Sequence, residues 1–139
     1  MRTHYLLDSN VLFWLNSDIG RVPAAVIAEL DAAETVYFSA ASAWELAIKQ
    51  SLGRLRMSGS IATFAEQAGL VELPVTTKFA ETAAQLPMRH RDPFDRMIVA
   101  QAMSEALVLV TSDRRLAGYG VKTMPIQASA RSNPKKTEQ

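Results

Sequence analysis

Four acidic residues fall at comparable places in this chain, each where a predicted strand meets a predicted helix. Asp8 ends the first predicted strand, and Asp113 follows an apolar strand predicted at 107–110. Glu45 lies in the first turns of the helix after the second strand, and Asp95 lies in the first turn of the helix leading into strand 107–110. Ligands of open parallel sheets bind outside the carboxyl ends of the strands. We therefore expect these four carboxylates to converge at that edge.

A cluster of carboxylates suits a hard divalent cation. The chain has no Cys and only two His, His4 and His90, so thiolate and three-histidine zinc sites are excluded. Mg²⁺ and Mn²⁺ prefer carboxylate oxygens and keep water in their remaining positions. A water molecule that such a cation acidifies can attack a phosphodiester. The sequence thus predicts phosphoryl transfer that depends on Mg²⁺ or Mn²⁺.

A structural role is the alternative for each of these acids. Asp8 and Asp113 could cap the helical segments that follow them, and Ser42 with Glu45 matches a capping box. Four acids at one sheet edge would nevertheless crowd negative charge, which costs stability unless a cation or raised pKa values compensate. This crowding favours a functional cluster over four separate caps.

Asp92 and Asp95 compete for one position in the cluster. Asp92 precedes Pro93, a pair typical of a helix N-cap followed by the first helical residue. Asp95 then lies where the helix dipole also favours an acid. Because Asp92 suits the cap, we assign Asp95 to the cluster and leave a contribution of Asp92 open.

The apolar pattern predicts alternating strands and helices. A turn at 8–10 and a short helix follow the first strand. We predict strands at 4–7, 35–38, 70–74, 107–110 and 121–124, helices at 23–34, 41–51, 60–67, 76–86 and 93–106, and a helical turn at 114–117. This order implies βαβ crossovers, and hence an α/β fold with a parallel sheet between helical layers.

Both tryptophans lie on apolar helical stripes. Trp44 shares its stripe with Ala47, Ile48 and Leu52, and Trp14 follows the first strand. We expect both rings to pack in the core or in a dimer interface rather than to stack on bases.

The composition is that of one globular domain. Of the 139 residues, 48% are hydrophobic and 21% are charged, which is too apolar for a disordered chain. We expect a domain at 1–126 and a polar, frayed tail at 127–139, in a soluble cytoplasmic protein without membrane contact. Residues 1–77 hold five basic and eight acidic side chains, whereas residues 78–139 hold ten and six. The second half could therefore meet a polyanion.

The chain resembles the PIN-domain ribonucleases, and among them the toxins of VapBC-type toxin–antitoxin pairs. The resemblance rests on four stretches and their spacing, namely Leu6–Leu12, Ser42–Lys49, His90–Arg96 with Ala100–Ala102, and Leu109–Asp113. It implies a three-layer α/β/α sandwich, a homodimer, an RNA substrate and inhibition by a small antitoxin. It also implies an acidic metal site of Asp8, Glu45, Asp95 and Asp113, with Asn10 and Thr111 or Ser112 as supporting polar residues.

Basic residues surround Asp95 in the sequence. They are candidates for holding RNA phosphates beside the metal, and they comprise Arg89, His90, Arg91 and Arg96. The alternative is a solvated loop whose charges pair with Asp92.

Two other functions also fit part of the pattern. Haloacid-dehalogenase-like phosphatases carry an Asp nucleophile after the first strand, but Asn10 replaces the acid that they need two residues later, and Glu45 would have no role. A catalytically silent PIN-like module that binds only RNA or protein is the non-enzymatic alternative.

Overall fold

The computed structural model describes residues 3–88 and 91–127, and it places five parallel strands in one sheet between helices. The strands, in the spatial order β3-β2-β1-β4-β5, are β1 (His4–Leu7), β2 (Thr35–Ser39), β3 (Val71–Leu73), β4 (Val108–Thr111) and β5 (Thr123–Pro125). The helices are α1 (Ser9–Ser17), α2 (Ala24–Asp31), α3 (Ala40–Ser51), α4 (Ile61–Ala68), α5 (Thr77–Gln85) and α6 (Pro93–Ser104). Short 3₁₀ segments occupy Ile19–Arg21 and Arg114–Tyr119. The predicted α/β/α architecture is confirmed.

Both faces of the sheet are covered by apolar side chains. Along β1, Tyr5 and Leu7 belong to one buried cluster and Leu6 to the other, because alternate residues of a strand point to opposite faces. The first cluster includes residues of α1, α2, α3 and α4, and the second includes residues of α6 and of the 3₁₀ segment after β4. This double cover makes β1 the buried centre of the molecule.

The strand register brings three strand ends to one level. Leu7 of β1 lies opposite Phe38 of β2 and Val110 of β4. The residue that follows each of these three therefore lies at the same edge of the sheet. Asp8, which follows Leu7, is thus placed beside Thr111, which follows Val110. This alignment determines where the polar residues after the strands meet.

Two helix starts change the roles that the sequence predicted for polar residues. The predicted turn at 8–10 is absent, because α1 begins directly at Ser9 with Asp8 as its N-cap. Helix α3 begins at Ala40 with Ser39 as its N-cap, so Ser42 lies inside the helix and the proposed capping box with Glu45 is wrong. A capping box requires its first residue to precede the helix.

The buried face of α3 is not the predicted apolar stripe. The helix instead buries Ala41, Ser42, Glu45 and Leu46. Trp44 is 64% exposed and Leu52 is 61% exposed, so Trp44 does not pack in the core; the other expectation, packing in a dimer interface, stays a prediction. Trp14 does pack against the first core cluster, as expected, and the Arg21 guanidinium lies 4.8 Å from the centre of its ring.

Helices α2 and α6 end earlier than predicted, at Asp31 and Ser104. After α6 the chain turns sharply into β4, and Ala106 adopts a left-handed φ of 56°. In the part of the chain that the structure describes, no helix is both long and apolar enough to cross a bilayer.

Candidate active site

Asp8 lies at the end of β1 and is almost fully buried. One carboxylate oxygen accepts a 2.6 Å hydrogen bond from the Ser9 backbone N–H, and the other accepts a 2.6 Å bond from the Thr111 hydroxyl. Burial raises the pKa of Asp8, the two hydrogen bonds oppose that rise, and the nearby charges of Glu45 and Asp113 add to it. Asp8 is thus a cap and a rigidly held carboxylate at once, so its capping role does not exclude the functional one.

Glu45 reaches the same edge from α3. The Ser9 hydroxyl donates a 2.7 Å hydrogen bond to Glu45 Oε1 and lies 2.9 Å from the Ser42 hydroxyl oxygen. The second oxygen, Glu45 Oε2, lies 3.1 Å from Lys49 Nζ one helical turn later. Ser9 therefore links the first strand's carboxyl end to the Glu45 side chain.

Sequence reasoning missed this role of Ser9. The sequence feature that could have indicated it is the position of Ser9 directly after Asp8. A residue there begins α1, and its short hydroxyl can reach a helix that packs against α1. Helix α3 packs there and supplies both Ser42 and Glu45.

Asp95 lies in the first turn of α6, and its neighbour Asp92 caps that helix. Asp92 accepts hydrogen bonds from the backbone N–H groups of Phe94 and Asp95, at 2.9 and 3.4 Å. Burial first, and then the negative charges of Asp8, Asp92, Glu45 and Asp113, together raise the pKa of Asp95 to about 7. The structure thus gives Asp92 the capping role that was expected of it.

Asp113 follows β4 and is held by its own loop. Its backbone N–H donates a 2.9 Å bond to the Thr111 hydroxyl oxygen. Its carboxylate accepts two bonds from the Arg115 guanidinium, at 2.9 and 3.0 Å, and one from the Arg115 backbone N–H at 3.0 Å. Thr111 therefore connects two of the acids, since the same hydroxyl donates to Asp8.

The four acids affect one another electrostatically at the carboxyl edge. Asp8, Glu45 and Asp113 all raise the pKa of Asp95. Among residues 3–88 and 91–127, however, no three Asp, Glu or His side chains form a complete metal-binding group. Glu45 and Asp113 are turned toward Lys49 and Arg115 instead.

Of the three predicted supporting residues, Thr111 has the clearest contacts. It is buried and bridges Asp8 and Asp113. Ser112 is partly buried beside it, and Asn10 is exposed in the first turn of α1.

The predicted role of Arg96 in RNA binding needs correction. Arg96 is only 7% exposed, and its guanidinium donates to backbone carbonyl oxygens at and after the end of α5, with distances of 2.8 Å to Ala83, 2.8 Å to Leu86 and 3.0 Å to Pro87. The last carbonyl groups of a helix lack an intrahelical amide partner four residues on, and Arg96 supplies donors to carbonyl oxygens at this end of α5. Arg91 is exposed, whereas Arg89, His90 and the tail at 128–139 lie outside the described residues.

Comparisons with known proteins agree with this architecture. The PIN domain family model matches residues 5–122. The chain is 31% identical over 120 residues to Ribonuclease VapC22 of Mycobacterium tuberculosis, covering 84% of this chain and 92% of that protein. The solved structure of FitAcB from Neisseria gonorrhoeae is 26% identical, with a TM-score of 0.58 and coverage of 86% of this chain and 96% of that one. DNA-bound VapBC from Salmonella typhimurium is 20% identical and supports the fold alone, with a TM-score of 0.66 and coverage of 90% and 98%.

The chain belongs to the PIN-domain family. The family assignment that the sequence predicted is confirmed by the family model and by the relative from Mycobacterium tuberculosis. The phosphatase alternative is not retained.

Proposed function

We propose that this protein is a metal-dependent endoribonuclease that hydrolyses phosphodiester bonds in RNA and acts as the toxin of a toxin–antitoxin pair. Its similarity to Ribonuclease VapC22 supports the nuclease activity. Its similarity to FitAcB, and its fold likeness to toxin–antitoxin complexes such as VapBC, are consistent with the toxin role. We place this activity in residues 1–126 and in the cytoplasm.

The observation that carries the proposal is the electrostatic convergence on Asp95. Burial and the charges of four nearby acids raise the pKa of Asp95 to about 7, so its carboxyl is half-ionised near neutral pH without a compensating cation. Strongly perturbed groups of this kind are concentrated at functional sites. Acids that only capped separate helices would have no reason to lie so close that their charges affect one another.

The donor set fits Mg²⁺ or Mn²⁺, since it consists of carboxylate oxygens. Asp8, Asp95, Asp113 and Glu45 would hold the cation. A bound divalent cation would supply positive charge at the phosphate and acidify the attacking water. Its binding would compete with Arg115 for Asp113 and with Lys49 for Glu45, because those cations now pair with the same oxygens.

Side chains of this protein would order the carboxylates and bind the RNA phosphates. Asp8 is fixed by two hydrogen bonds, and Ser9 orients Glu45, so neither carboxylate has to be ordered when substrate binds. The exposed Arg91 lies at the start of α6, close in the chain to Asp95, and would contact RNA phosphates. Arg89 and His90 stay candidates for the same role.

The same carboxylates would form the binding site for an inhibitory side chain of an antitoxin. A guanidinium inserted by the partner would bind the cluster of Asp8, Glu45, Asp95 and Asp113 through charge-assisted hydrogen bonds. Inhibition would then compete with the metal, and added Mn²⁺ would restore part of the activity of the inhibited complex. We further propose that the active form is a homodimer, which sedimentation measures directly.

Cleavage of a panel of structured and single-stranded RNAs tests the activity. We expect cleavage with Mg²⁺ or Mn²⁺, none with chelator, and none with Asp8→Asn, whose amide oxygen can still cap α1. Asp31→Asn is the matched control, because it removes an exposed acid at the end of α2. Equal cleavage by Asp8→Asn and the parent protein, or cleavage in chelator, would contradict the proposal.

A further inference from the structure

A large aromatic side chain stands exposed beside the acidic cluster. Trp44 is 64% exposed on α3 and directly precedes Glu45 in the chain. Its ring contacts Phe94, which directly precedes Asp95, with the ring centres 5.4 Å apart and the planes at 71°. This edge-to-face contact fixes the orientation of the indole while most of its surface stays open to solvent.

A groove of about 480 Å³ lies next to this aromatic pair. It runs between α3 and the start of α6, and its lining includes Phe94, Ile48, Lys49, Arg54, Arg91 and the site residue Glu45. Arg54 and Arg91 are exposed, and Lys49 is partly exposed. Two acids also border the groove, but Glu45 pairs with Lys49 and Asp92 accepts the amide hydrogens that begin α6. The groove therefore offers cationic groups along an apolar and aromatic wall.

We propose that Trp44 is a stacking platform for an unpaired RNA base, and that it holds a single-stranded segment with its phosphate at the carboxylates. The inference rests on the proposed ribonuclease function. Single-stranded nucleic acids bind where basic side chains follow the backbone and aromatic rings stack on bases. Here the aromatic Phe94, basic side chains and the site residue Glu45 line one groove, and Trp44 lies against Phe94 at that groove.

A second copy of this chain is a less suitable occupant of the groove. In a two-fold symmetric contact, a patch meets the same patch of its partner. Such a contact would bring Arg54 and Arg91 of both copies into one interface, and the repulsion among these like charges opposes it. An RNA strand instead brings phosphates to these cations and bases to the indole.

Tryptophan fluorescence tests the stacking directly. In the background Trp14→Phe, Trp44 is the sole tryptophan, and Asp8→Asn prevents cleavage during the titration. We expect a single-stranded oligouridylate to quench Trp44 fluorescence, and an abasic ribose-phosphate oligomer of equal length and charge to leave it unchanged. A duplex of the same length should also leave it unchanged.

Affinity measurements separate stacking from other roles of the side chain. We expect Trp44→Ala to weaken oligouridylate binding roughly 5- to 150-fold without changing its salt dependence, because stacking releases no counterions. Trp44→Tyr should retain most of the affinity and Trp44→Leu should not. Met103→Ala is the matched control, since Met103 is also exposed but lies near the other end of α6.

The possible outcomes distinguish the two proposals. If the parent protein cleaves RNA but Trp44→Ala binds oligouridylate as tightly as the parent, the stacking role is wrong and the ribonuclease proposal stands. If Trp44→Ala converts a dimer to a monomer and leaves RNA affinity unchanged, Trp44 belongs to a subunit interface. If no RNA is cleaved, the ribonuclease proposal fails, and the fluorescence titration still decides whether Trp44 meets a base.

Discussion

Replacing Asp95 with Asn should stabilise the metal-free protein at alkaline pH. The raised pKa of Asp95 means that the folded state keeps its carboxyl protonated up to about pH 7, whereas the unfolded chain ionises it near 3.8. The stability that the protonated carboxyl provides is complete below about pH 4 and is lost as the pH rises through 7. Asp95→Asn has no ionisation at this position, so it avoids the loss.

The size of this stability difference follows from the pKa shift and the burial of Asp95. A pKa about three above its ordinary value corresponds to about 4 kcal/mol. Asp95 is only partly buried, and solvent screening reduces this to about 2 kcal/mol. The variant also loses the favourable interaction of an acid with the first turn of α6, about 0.5–1 kcal/mol. A net gain of about 1 kcal/mol in the free energy of unfolding remains at pH 8.

Urea unfolding followed by circular dichroism measures this difference in the presence of chelator. We expect the two proteins to agree near pH 4 and Asp95→Asn to be more stable by about 1 kcal/mol at pH 8. Added Mg²⁺ should reverse the order, because only the parent retains the full set of acids. A difference that does not vary with pH, or a variant that is less stable at pH 8, would refute the reasoning. Asp31→Asn again controls for the loss of one charge.

Three further substitutions test other parts of the structure. Arg96→Met should lower the free energy of unfolding by about 2–4 kcal/mol, since buried carbonyl oxygens lose a charged donor, and it should leave the salt dependence of RNA binding unchanged. Ser9→Ala should reduce the single-turnover cleavage rate about tenfold, because Glu45 loses its orienting bond, while thermal unfolding keeps its two-state form. Ala106→Gly should raise the free energy of unfolding by about 0.5–1 kcal/mol, measured by chemical denaturation, because glycine adopts the left-handed φ without strain.

The sheet and the location of the acids could be predicted because they depend on simple patterns. An apolar run at 107–110 predicts a strand buried on both faces, and β4 is paired on both sides by β1 and β5. Once the strands are parallel, their carboxyl ends share an edge, so Asp8 and Asp113 must lie there. The contact between Asp8 and Thr111 then follows from the register.

The packing of α3 could not be predicted from amphipathicity. A helix normally buries its most apolar stripe. Here the buried face of α3 carries Ser42 and Glu45, which lie at the candidate site, whereas Trp44 and Leu52 of the predicted stripe are exposed. Arg96 is the opposite case. Its charged side chain lies in a basic stretch of the sequence, yet it is buried, because it donates hydrogen bonds to carbonyl oxygens at the end of α5. In both cases the deciding contacts involve polar atoms from distant parts of the chain.

The polar face that α3 buries has an energetic cost. Burying Ser42, Glu45 and Asp8 costs solvation energy, which hydrogen bonds from Ser9 and Thr111 recover in part. The residual cost is visible in the raised pKa values of Asp8 and Asp95. A cation that neutralises the cluster would remove that cost, so its binding energy would appear as added stability of the fold. The buried polar residues that hydrophobicity alone does not predict, Glu45 among them, therefore couple the proposed metal site to folding.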